Sequence, residues 1–360
     1  MTKDFSFQVF SSHRIGSLAL QLESLEAQLV LWMMEHSLTL DLLMQSRIYL
    51  SDAANQWGEV RNSGLYSEFL SKGAVSYIEQ PMLNGAKVSL QVWFAKDGDV
   101  VKEGTPECMT IQIGEVTYVF QSVRFSEEES LELDAVAQTK EAFRRHISVL
   151  AEKGMTLEQH CHRTWLYVRD IDRHYADVVE ARNQVFDANG LTADTHYISS
   201  TGIGGYSDNR GAVLGTDFLS VGGLERSQVQ YLHALDYLNP TREYGVAFER
   251  GTKLALPQGD LSFISGTASI DKYGECLHRG DVLTQTGRLF LNIEKLLEDG
   301  GSALSDIRYM IVYLRDIADY IRVDEYLSLR FPNIPFLITE ARVCRPEWLV
   351  EVECIALKAK

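Results

Sequence analysis

The sequence is poor in proline and in cysteine, and each shortage excludes a class of protein. Only 7 prolines occur in 360 residues. No low-complexity segment interrupts the chain, so we expect it to fold along its whole length. The 5 cysteines are scattered and form no CxxC pair. This spacing argues against a disulfide framework and is typical of a reducing compartment.

Basic residues are also in short supply. Lysine and arginine total 34 against 50 acidic residues, which gives a formal charge of −16. Binding to a nucleic-acid backbone needs a concentrated basic surface, so this balance disfavours a nucleic-acid partner and a nuclease activity. A small anionic substrate would have to be captured by a local group of arginines acting against the field of the whole protein.

Long apolar runs are missing as well. No run reaches 18 residues, and Met1 opens no signal-peptide pattern, so we expect a soluble cytoplasmic protein without a membrane partner. His160 and His162 flank Cys161, but only the two histidines would share one face of a strand. No second ligand pair follows at zinc spacing, and we predict neither a metal site nor a cofactor.

Three segments of the chain repeat a helix–strand–helix pattern. Apolar-periodic helices run from about Leu18, from Gln138 and from Gln285, and each precedes a β-branched strand. The aligned strand ends are Tyr49-Leu50-Ser51-Asp52, Tyr167-Val168-Arg169-Asp170 and Tyr313-Leu314-Arg315-Asp316. The final aspartate of each is well placed to cap the helix that follows.

Further strand-like stretches flank these helices, so each repeat predicts an α+β unit with helices on one face of a sheet. These stretches are Val88–Phe94, Ile111–Arg124 (broken at Gly114), Val213–Val221 and Leu261–Ala268. Three such units can bury their second faces against one another around a pseudo-threefold axis. We predict an intramolecular pseudo-trimer with units 1–105, 106–255 and 256–360, either monomeric or a low-order homo-oligomer.

The closing stretch from Val343 to Leu357 carries the candidate chemistry. From Leu349 onward apolar and acidic residues alternate, which places Glu351 and Glu353 on one face of a strand. A carboxyl buried in a cleft has a raised pKa and can act as a general acid near neutral pH. Glu351 is the candidate acid and Glu353 the fallback. The alternative is a pair of solvated carboxylates at a sheet edge.

The third repeat resembles the Rid (YjgF/UK114) superfamily over essentially its whole length. The resemblance rests on Phe263-Ile264-Ser265-Gly266, Gly280-Asp281-Val282, Val312-Tyr313-Leu314 and Val350-Glu351-Val352-Glu353-Cys354-Ile355-Ala356. It implies chorismate-mutase-like units that form trimers, with sites in the clefts between units. Many members hydrolyse reactive imines or enamines.

Residues from about 160 to 360 are more closely similar to the chorismatases, which are built from fused units of this kind. The similarity rests on Arg163-Thr164-Trp165-Leu166-Tyr167-Val168, Ser200-Thr201-Gly202-Ile203-Gly204-Gly205 and Tyr244-Gly245 with Phe248-Glu249-Arg250. It implies cleavage of chorismate with release of pyruvate. Glu351 then falls on the family's catalytic acid. Cys344 falls on the position that separates the 3-hydroxybenzoate-forming subgroup from the dihydrodiol-forming one.

The sequence departs from both families in places. The segment between Tyr244 and Phe248 is shorter than in chorismatases. The first repeat is better preserved than expected of a chorismatase N-terminus. The arginine that binds the substrate carboxylate in Rid deaminases falls near Leu337.

Candidate substrate-binding groups surround the acid in this interpretation. Thr201, Gly202 and Gly204 belong to a glycine-rich segment that suits a nest of backbone N–H groups around a carboxylate, or an ordinary turn. Arg163 and Arg250 are candidate carboxylate clamps, or members of structural salt bridges.

Three more residues complete the predicted site. Tyr244 would hydrogen-bond a ring hydroxyl or pack. Cys344 would line the site, with Arg345 as a neighbouring cation that favours its thiolate and as a further substrate contact. The alternative for Cys344 is a small buried hydrophobe.

Three hypotheses of function follow. The first is a chorismatase-like enzyme that cleaves chorismate, or a related cyclic enol-ether carboxylate, without metal or cofactor. The second is an imine or enamine deaminase. The third is a non-catalytic protein that binds a small carboxylate or a partner, which a solvent-open or side-chain-filled cleft would favour.

Overall fold

The computed structural model describes residues 5–12, 14–96 and 98–359, with the side chain of Tyr244 left out. Unit 1 is the smallest of the three repeats. Its elements are β1 (Phe5–Ser11), α1 (Leu18–Glu35), β2 (Leu43–Leu50), α2 (Ala53–Arg61), β3 (Ala74–Glu79) and β4 (Val88–Ala95). In these described residues its sheet has the order β1–β4–β2–β3, with β2 and β3 parallel and the other pairs antiparallel.

Unit 2 adds a β-hairpin arm to the same plan. Its elements are β5 (Val100–Thr105), β6 (Cys108–Ile113), β7 (Val116–Val123), α3 (Glu127–Glu132), α4 (Ala135–Glu152), α5 (Leu157–His160), β8 (Cys161–Val168), α6 (Ile171–Ala188), β9 (Ser199–Gly204) and β10 (Leu214–Gly222). The sheet order is β5–β6–β7–β10–β8–β9. The break predicted at Gly114 is the turn between β6 and β7.

Unit 3 repeats this arrangement and contains the closing strand. Its elements are β11 (Val229–Tyr231), β12 (Gly251–Leu256), β13 (Gly259–Thr267), α7 (Val282–Asp299), β14 (Ile307–Leu314), α8 (Tyr320–Arg330), β15 (Phe336–Glu340) and β16 (Val350–Lys358). The sheet order is β11–β12–β13–β16–β14–β15. Because β16 pairs with strands on both sides, the alternative of a sheet edge for Glu351 and Glu353 is wrong.

The chain changes sheet between residues 95 and 100 and again between 222 and 229. Both changes lie upstream of the predicted unit boundaries at 105 and 255, because β5 pairs with β6 and β12 pairs with β13. The hairpin arms β5–β6 and β11–β12 therefore belong with the sheets that follow them. The predicted boundaries of the three repeats stay a proposal.

The pseudo-trimer follows from two separate sets of apolar contacts. In units 1 and 2 the helices pack on one face of their own sheet and form one core each. A third core contains aromatic and aliphatic residues from the opposite faces of all three sheets, for example Trp93, Trp165 and Phe263. The predicted α+β units with helices on one face, joined around an axis, are confirmed.

Backbone and side-chain hydrogen bonds join the units in a ring. Val75 N–H donates to the Pro106 carbonyl at 2.6 Å between units 1 and 2. Gly266 N–H donates to Thr201 Oγ1 at 3.0 Å between units 2 and 3. Leu83 N–H donates to the Ile338 carbonyl at 3.1 Å and closes the ring between units 1 and 3. Each unit is therefore in contact with both of the others.

The strand register identifies equivalent positions in the three units. The last tyrosine of β2, β8 and β14 lies opposite one residue of the neighbouring strand, in the pairs Tyr49–Ser89, Tyr167–Gly215 and Tyr313–Glu351. Two residues away the pairs are Arg47–Gln91, Trp165–Asp217 and Ile311–Glu353. Glu351 is thus the one carboxylate among three equivalent positions.

The predicted aspartate caps are only partly confirmed. Asp316 accepts a hydrogen bond from Ala318 N–H at 2.9 Å and caps the turn that precedes α8. Asp52 and Asp170 lie at the N-termini of α2 and α6 but make no capping hydrogen bond there. Asp52 instead pairs with Arg210, and Asp170 adopts a left-handed conformation with φ 47°. None of the described helices combines the length and apolarity that crossing a bilayer requires.

Candidate active site

The cleft between units 2 and 3, called the 2–3 cleft below, contains a cavity of about 420 Å³. Unit 2 contributes the face of α6 from Tyr175 to Arg182 and the strand β9. Unit 3 contributes Gly266, the segment from Cys344 to Trp348, and Glu351 on β16. A cavity of this size accommodates a small ligand and is not filled by side chains.

Glu351 is the acid at the base of this cavity. Its side chain is buried on the inner face of β16, and the residue is 3% exposed. Burial is the main cause that raises the pKa of Glu351 from 4.5 to about 8, and the negative charge of Glu353 raises it further. Arg163 and Arg250 act in the opposite direction. The expected raised pKa is therefore present, and the carboxyl holds a proton near neutral pH.

Gly266 makes room for the acid. A Cβ at this position would overlap Oε1 of Glu351 and lie 2.8 Å from its Cδ. Cores tolerate such overpacking poorly. The Glu351 carboxyl therefore occupies the space that a Cβ at position 266 would fill, and an alanine there would require the carboxyl to move.

Gly266→Ala is expected to displace Glu351 and to destabilise the protein by about 2 kcal/mol. Catalytic activity should fall together with stability, because the carboxyl leaves its position. Gly287→Ala in α7 is the matched control, because a Cβ at Gly287 would contact only the Tyr326 hydroxyl, at 3.6 Å. Denaturant unfolding measures both variants, and equal stabilities would contradict the packing described here.

Cys344 lies beside the acid as a neutral thiol. Burial, together with the charge of Glu351, raises the pKa of Cys344 to about 12, and a hydrogen bond with Tyr175 and the charge of Arg345 lower it less. Arg345 acts in the predicted direction, toward the thiolate, but burial outweighs this cation and the thiol stays neutral. Cys344 lines the cavity as a small, weakly polar side chain.

The glycine-rich segment is a strand rather than a nest or a turn. Ser199–Gly204 forms β9, which pairs in parallel with β8. A Cβ at Gly202 would lie 3.1 Å from the Tyr175 ring, and one at Gly204 would lie 2.9 Å from backbone atoms of Arg342. These glycines allow close packing between elements. Gly202 lines the 2–3 cleft, whereas Gly204 lines a different cavity.

Thr201 and Arg163 lie beneath the cavity and not in its lining. Arg163 is 2% exposed and donates to Thr201 Oγ1 at 2.6 Å and to Glu353 Oε2 at 2.7 Å. The structure thus places Arg163 in a buried salt bridge, the alternative held open for it. Thr201 joins this pair to Gly266 and so to the strand that packs on Glu351.

Three arginines line the cavity around the acid: Arg182, Arg250 and Arg345. Arg250 is held by hydrogen bonds to Asn239 O at 3.2 Å and Oδ1 at 3.3 Å, which aim it at the boundary between units 2 and 3. Arg345 follows Cys344, and its guanidinium lies 5.5 Å from the centre of the Trp348 ring. Guanidinium groups bind carboxylates through paired hydrogen bonds, so an acidic ligand fits this lining.

Sequence reasoning missed Arg182 and Tyr175, which both face the cavity from α6. With Val179 between them they occupy positions i, i+4 and i+7 of one helical face, and Arg182 is only 2% exposed. A charged residue on the buried face of a periodic helix is the signal that identifies such positions. The side chain of Tyr244, predicted to contact a ring hydroxyl, lies outside the described residues.

At the other two boundaries between units, the position equivalent to Glu351 holds no carboxylate. The cleft between units 1 and 2, called the 1–2 cleft below, contains a cavity of about 480 Å³. There Gly215 occupies the position of Glu351, and a Cβ on it would lie 3.2 Å from the Arg124 side chain. Between units 3 and 1 the position is Ser89, whose hydroxyl contacts Ser11 at 2.7 Å. Among the three equivalent positions of the described residues, only the one between units 2 and 3 therefore holds a carboxylate.

The predicted histidine pair does not form a cluster suited to metal binding. Within the described residues, no group of three or more histidine, cysteine or acidic side chains is placed to hold a metal ion. His162 is buried, which lowers its pKa to about 3. A neutral, buried imidazole is consistent with a packing role for this residue.

Comparison with known families locates the sequence similarity in unit 3. The family model described as "Endoribonuclease L-PSP" matches residues 249–358. A RutC family protein of Pyrococcus abyssi is 32% identical over 106 residues, which are 29% of this chain and 84% of that protein. The 3-aminoacrylate deaminase RutC of Acinetobacter baylyi is 27% identical over 108 residues, 28% of this chain and 82% of that protein.

Comparison with solved structures covers the whole chain. A crystal structure of a chorismatase aligns with 99% of this chain and 99% of its own, with a TM-score of 0.69 and 18% sequence identity. At this identity the match establishes the fold and its three-unit arrangement. The chain therefore belongs to the RutC family of the Rid superfamily and has the fold of a chorismatase.

Proposed function

We propose that the 2–3 cleft cleaves the enolpyruvyl ether of chorismate, or of a closely related cyclic carboxylate, and releases pyruvate. The observation that carries this proposal is Glu351, a buried carboxyl with a pKa of about 8 at the base of a cavity lined by arginines. An enol ether is activated by protonation at carbon, which requires a general acid that still holds its proton near neutral pH.

The residues of the cleft divide the chemistry between them. Arg182, Arg250 and Arg345 bind the carboxylates of the substrate, and the cavity excludes bulk water from the ring. Glu351 donates its proton to the methylene carbon of the enol ether, and this carbon becomes the methyl group of pyruvate. A water molecule adds to the neighbouring oxocarbenium carbon and returns a proton to Glu351, and the bond between this carbon and the ring oxygen breaks to release pyruvate. Loss of the second ring hydroxyl as water makes the ring aromatic and regenerates the water consumed. The neutral Cys344 thiol lies beside the acid and shapes the space that the ring occupies.

The reaction needs no group beyond these side chains. A cyclohexadiene carboxylate with an enolpyruvyl ether contains all the atoms of pyruvate and a hydroxybenzoate, so its cleavage requires no oxidant or reductant. Cys344 occupies the position that the resemblance connects with a 3-hydroxybenzoate-type product. We therefore propose that a hydroxybenzoate accompanies pyruvate.

Incubation of the purified protein with chorismate tests the proposal. Pyruvate is measured with lactate dehydrogenase and the aromatic product by chromatography. We expect equal amounts of pyruvate and a hydroxybenzoate. Absence of pyruvate above the spontaneous rate would contradict the proposal.

A second candidate function is an imine or enamine deaminase. The similarity of unit 3 to a 3-aminoacrylate deaminase favours it. Leu337, the position that the resemblance connects with the deaminase arginine, is a buried residue of β15, so Arg250 or Arg345 would have to replace that arginine. Ammonia released from 2-aminoacrylate generated in the assay, without pyruvate from chorismate, would select this function.

A further inference from the structure

Unit 1 contributes a charged residue to the region beneath the candidate acid. Arg47 on β2 is 0% exposed and lies on the inner face of the first sheet. The equivalent positions in units 2 and 3 hold Trp165 and Ile311, which are uncharged. The pseudo-threefold fold therefore does not itself require a cation at this position.

Arg47 reaches across the axis to both other units. Its Nη2 lies 3.2 Å from Asp217 Oδ2, and its Nη1 lies 3.9 Å from Glu353 Oε1. Its guanidinium carbon lies 4.1 Å from the centre of the Trp165 ring, a distance typical of a cation–π contact. Trp165 Nε1–H in turn donates to Glu353 Oε1 at 2.8 Å. Arg47 thus contacts Glu353 directly and also through Trp165.

Glu353 carries its negative charge next to the acid. It is 2% exposed and lies two residues from Glu351 on the same face of β16. Arg163 pairs with its second oxygen at 2.7 Å. The negative charge of Glu353 raises the pKa of Glu351. Groups of units 1 and 2 hold both oxygens of Glu353.

Other titratable and charged groups face Glu351 from every packed element. Arg163 and Arg250 stabilise its ionised form, while Cys344 and Tyr175 lie within range of its charge. Arg182, Arg345 and Glu347 line the same cavity. Arg163 and Arg47 both contact Glu353, but of the two only Arg163 also acts on the pKa of Glu351.

We propose that Arg47 is a positioning residue that unit 1 supplies to the active site of units 2 and 3. It acts through Glu353: by pairing with this carboxylate, directly and through Trp165, it keeps the Glu353 side chain from turning toward Glu351 and drawing the acid away from the cavity. Unit 1 thereby completes a site that it does not line. This inference rests on the proposed function of Glu351 as a general acid.

Arg47→Met and Glu353→Gln give opposite signatures in the pH dependence of turnover. In Arg47→Met the Glu353 side chain loses this partner and can turn toward Glu351, so we expect kcat to fall about tenfold at its plateau with KM unchanged. In Glu353→Gln no second carboxylate is present beside Glu351. The plateau value of kcat is expected to stay within about twofold of the wild-type value. The pH at which kcat declines on the alkaline side should fall by about 1 unit.

The double variant separates a positioning role from a structural one. If Arg47 acts through Glu353, Glu353→Gln should restore kcat in the Arg47→Met protein. Arg47→Lys should retain part of the activity. Arg124→Met is the control, because Arg124 is a partly buried arginine that also pairs with Asp217, at 3.0 Å, and the variant should lower stability without lowering kcat.

Two results would overturn the inference. One is an Arg47→Met protein with unchanged kcat and only a lower melting temperature. The other is a double variant as slow as Arg47→Met alone. If the wild-type protein turns over no substrate, the pH dependence of the unfolding free energy tests the inference instead. Glu353→Gln must then weaken the pH dependence that Glu351 contributes, and an unchanged dependence would contradict the inference independently of the reaction.

Discussion

Glu351→Gln is expected to lower kcat for pyruvate release about 10³-fold, the range that general acid catalysis supplies. Glutamine preserves the size of the side chain that packs against Gly266 but carries no acidic proton. KM should change by less than about threefold, because the arginines that line the cavity remain in place. The loss therefore belongs in kcat and not in binding.

The control for the chemical change is Glu107→Gln, an exposed glutamate that lines the 1–2 cleft and not the 2–3 cleft. This variant should leave kcat unchanged. Circular dichroism and a melting curve establish that both variants are folded. A Glu351→Gln protein with more than about a tenth of wild-type kcat would remove Glu351 from the role of general acid.

Glu351 should also make the stability of the protein depend on pH. Its folded-state pKa of about 8 lies above its ordinary value of 4.5, so the folded protein holds a proton that the unfolded chain releases between these values. The stability that this proton contributes is fully present below pH 4.5 and is lost as the pH rises through 8. Between pH 5 and 9 the loss corresponds to about 4 kcal/mol.

The measurement compares unfolding free energies of the wild type and of Glu351→Gln across this pH range. Glutamine remains neutral, so the variant should gain stability relative to the wild type as the pH rises. Other titrating groups contribute to both proteins and cancel in the difference. Parallel plots of unfolding free energy against pH for the two proteins would show that Glu351 does not hold its proton in the folded state.

Much of the fold follows from periodicity in the sequence. The helices from Leu18, Gln138 and Gln285 and the strands that end near Tyr49, Tyr167 and Tyr313 are present, with helix starts shifted by up to three residues. Two helices start three residues earlier than predicted because of the positions of their N-caps. Asp134 and Asp281 accept the first-turn hydrogen bonds, upstream of the apolar residues that set the period.

The strands β3, β5, β11, β12 and β15 were harder to predict. They are short or lie at sheet edges and hairpin arms, where the alternation of polar and apolar residues is weak. The glycines of β9 predict a nest or a turn and not a strand. Its glycines are explained by contacts with Tyr175 and Arg342 from other elements, which no local pattern encodes.

In the candidate site too, residues close together in the sequence could be predicted, whereas contacts between units could not. Glu351 and Cys344 were identified from the closing stretch and lie together in the cavity with Arg250, Arg345 and Gly202. Arg163 and Thr201 lie beneath it, because Arg163 pairs with Glu353. The contribution of Arg47 depends on a contact across 306 positions of the chain, which only the closed pseudo-trimer reveals.

A crystal structure of Glu351→Gln with bound chorismate tests the account most directly. We expect the ligand in the 2–3 cleft, with its carboxylates on Arg250 and Arg345. The methylene carbon of its enol ether should lie about 3.5 Å from the side chain at position 351. Density for the ligand in the 1–2 cleft, or in the 2–3 cleft with the enol ether turned away from position 351, would contradict the assignment of Glu351 as the acid.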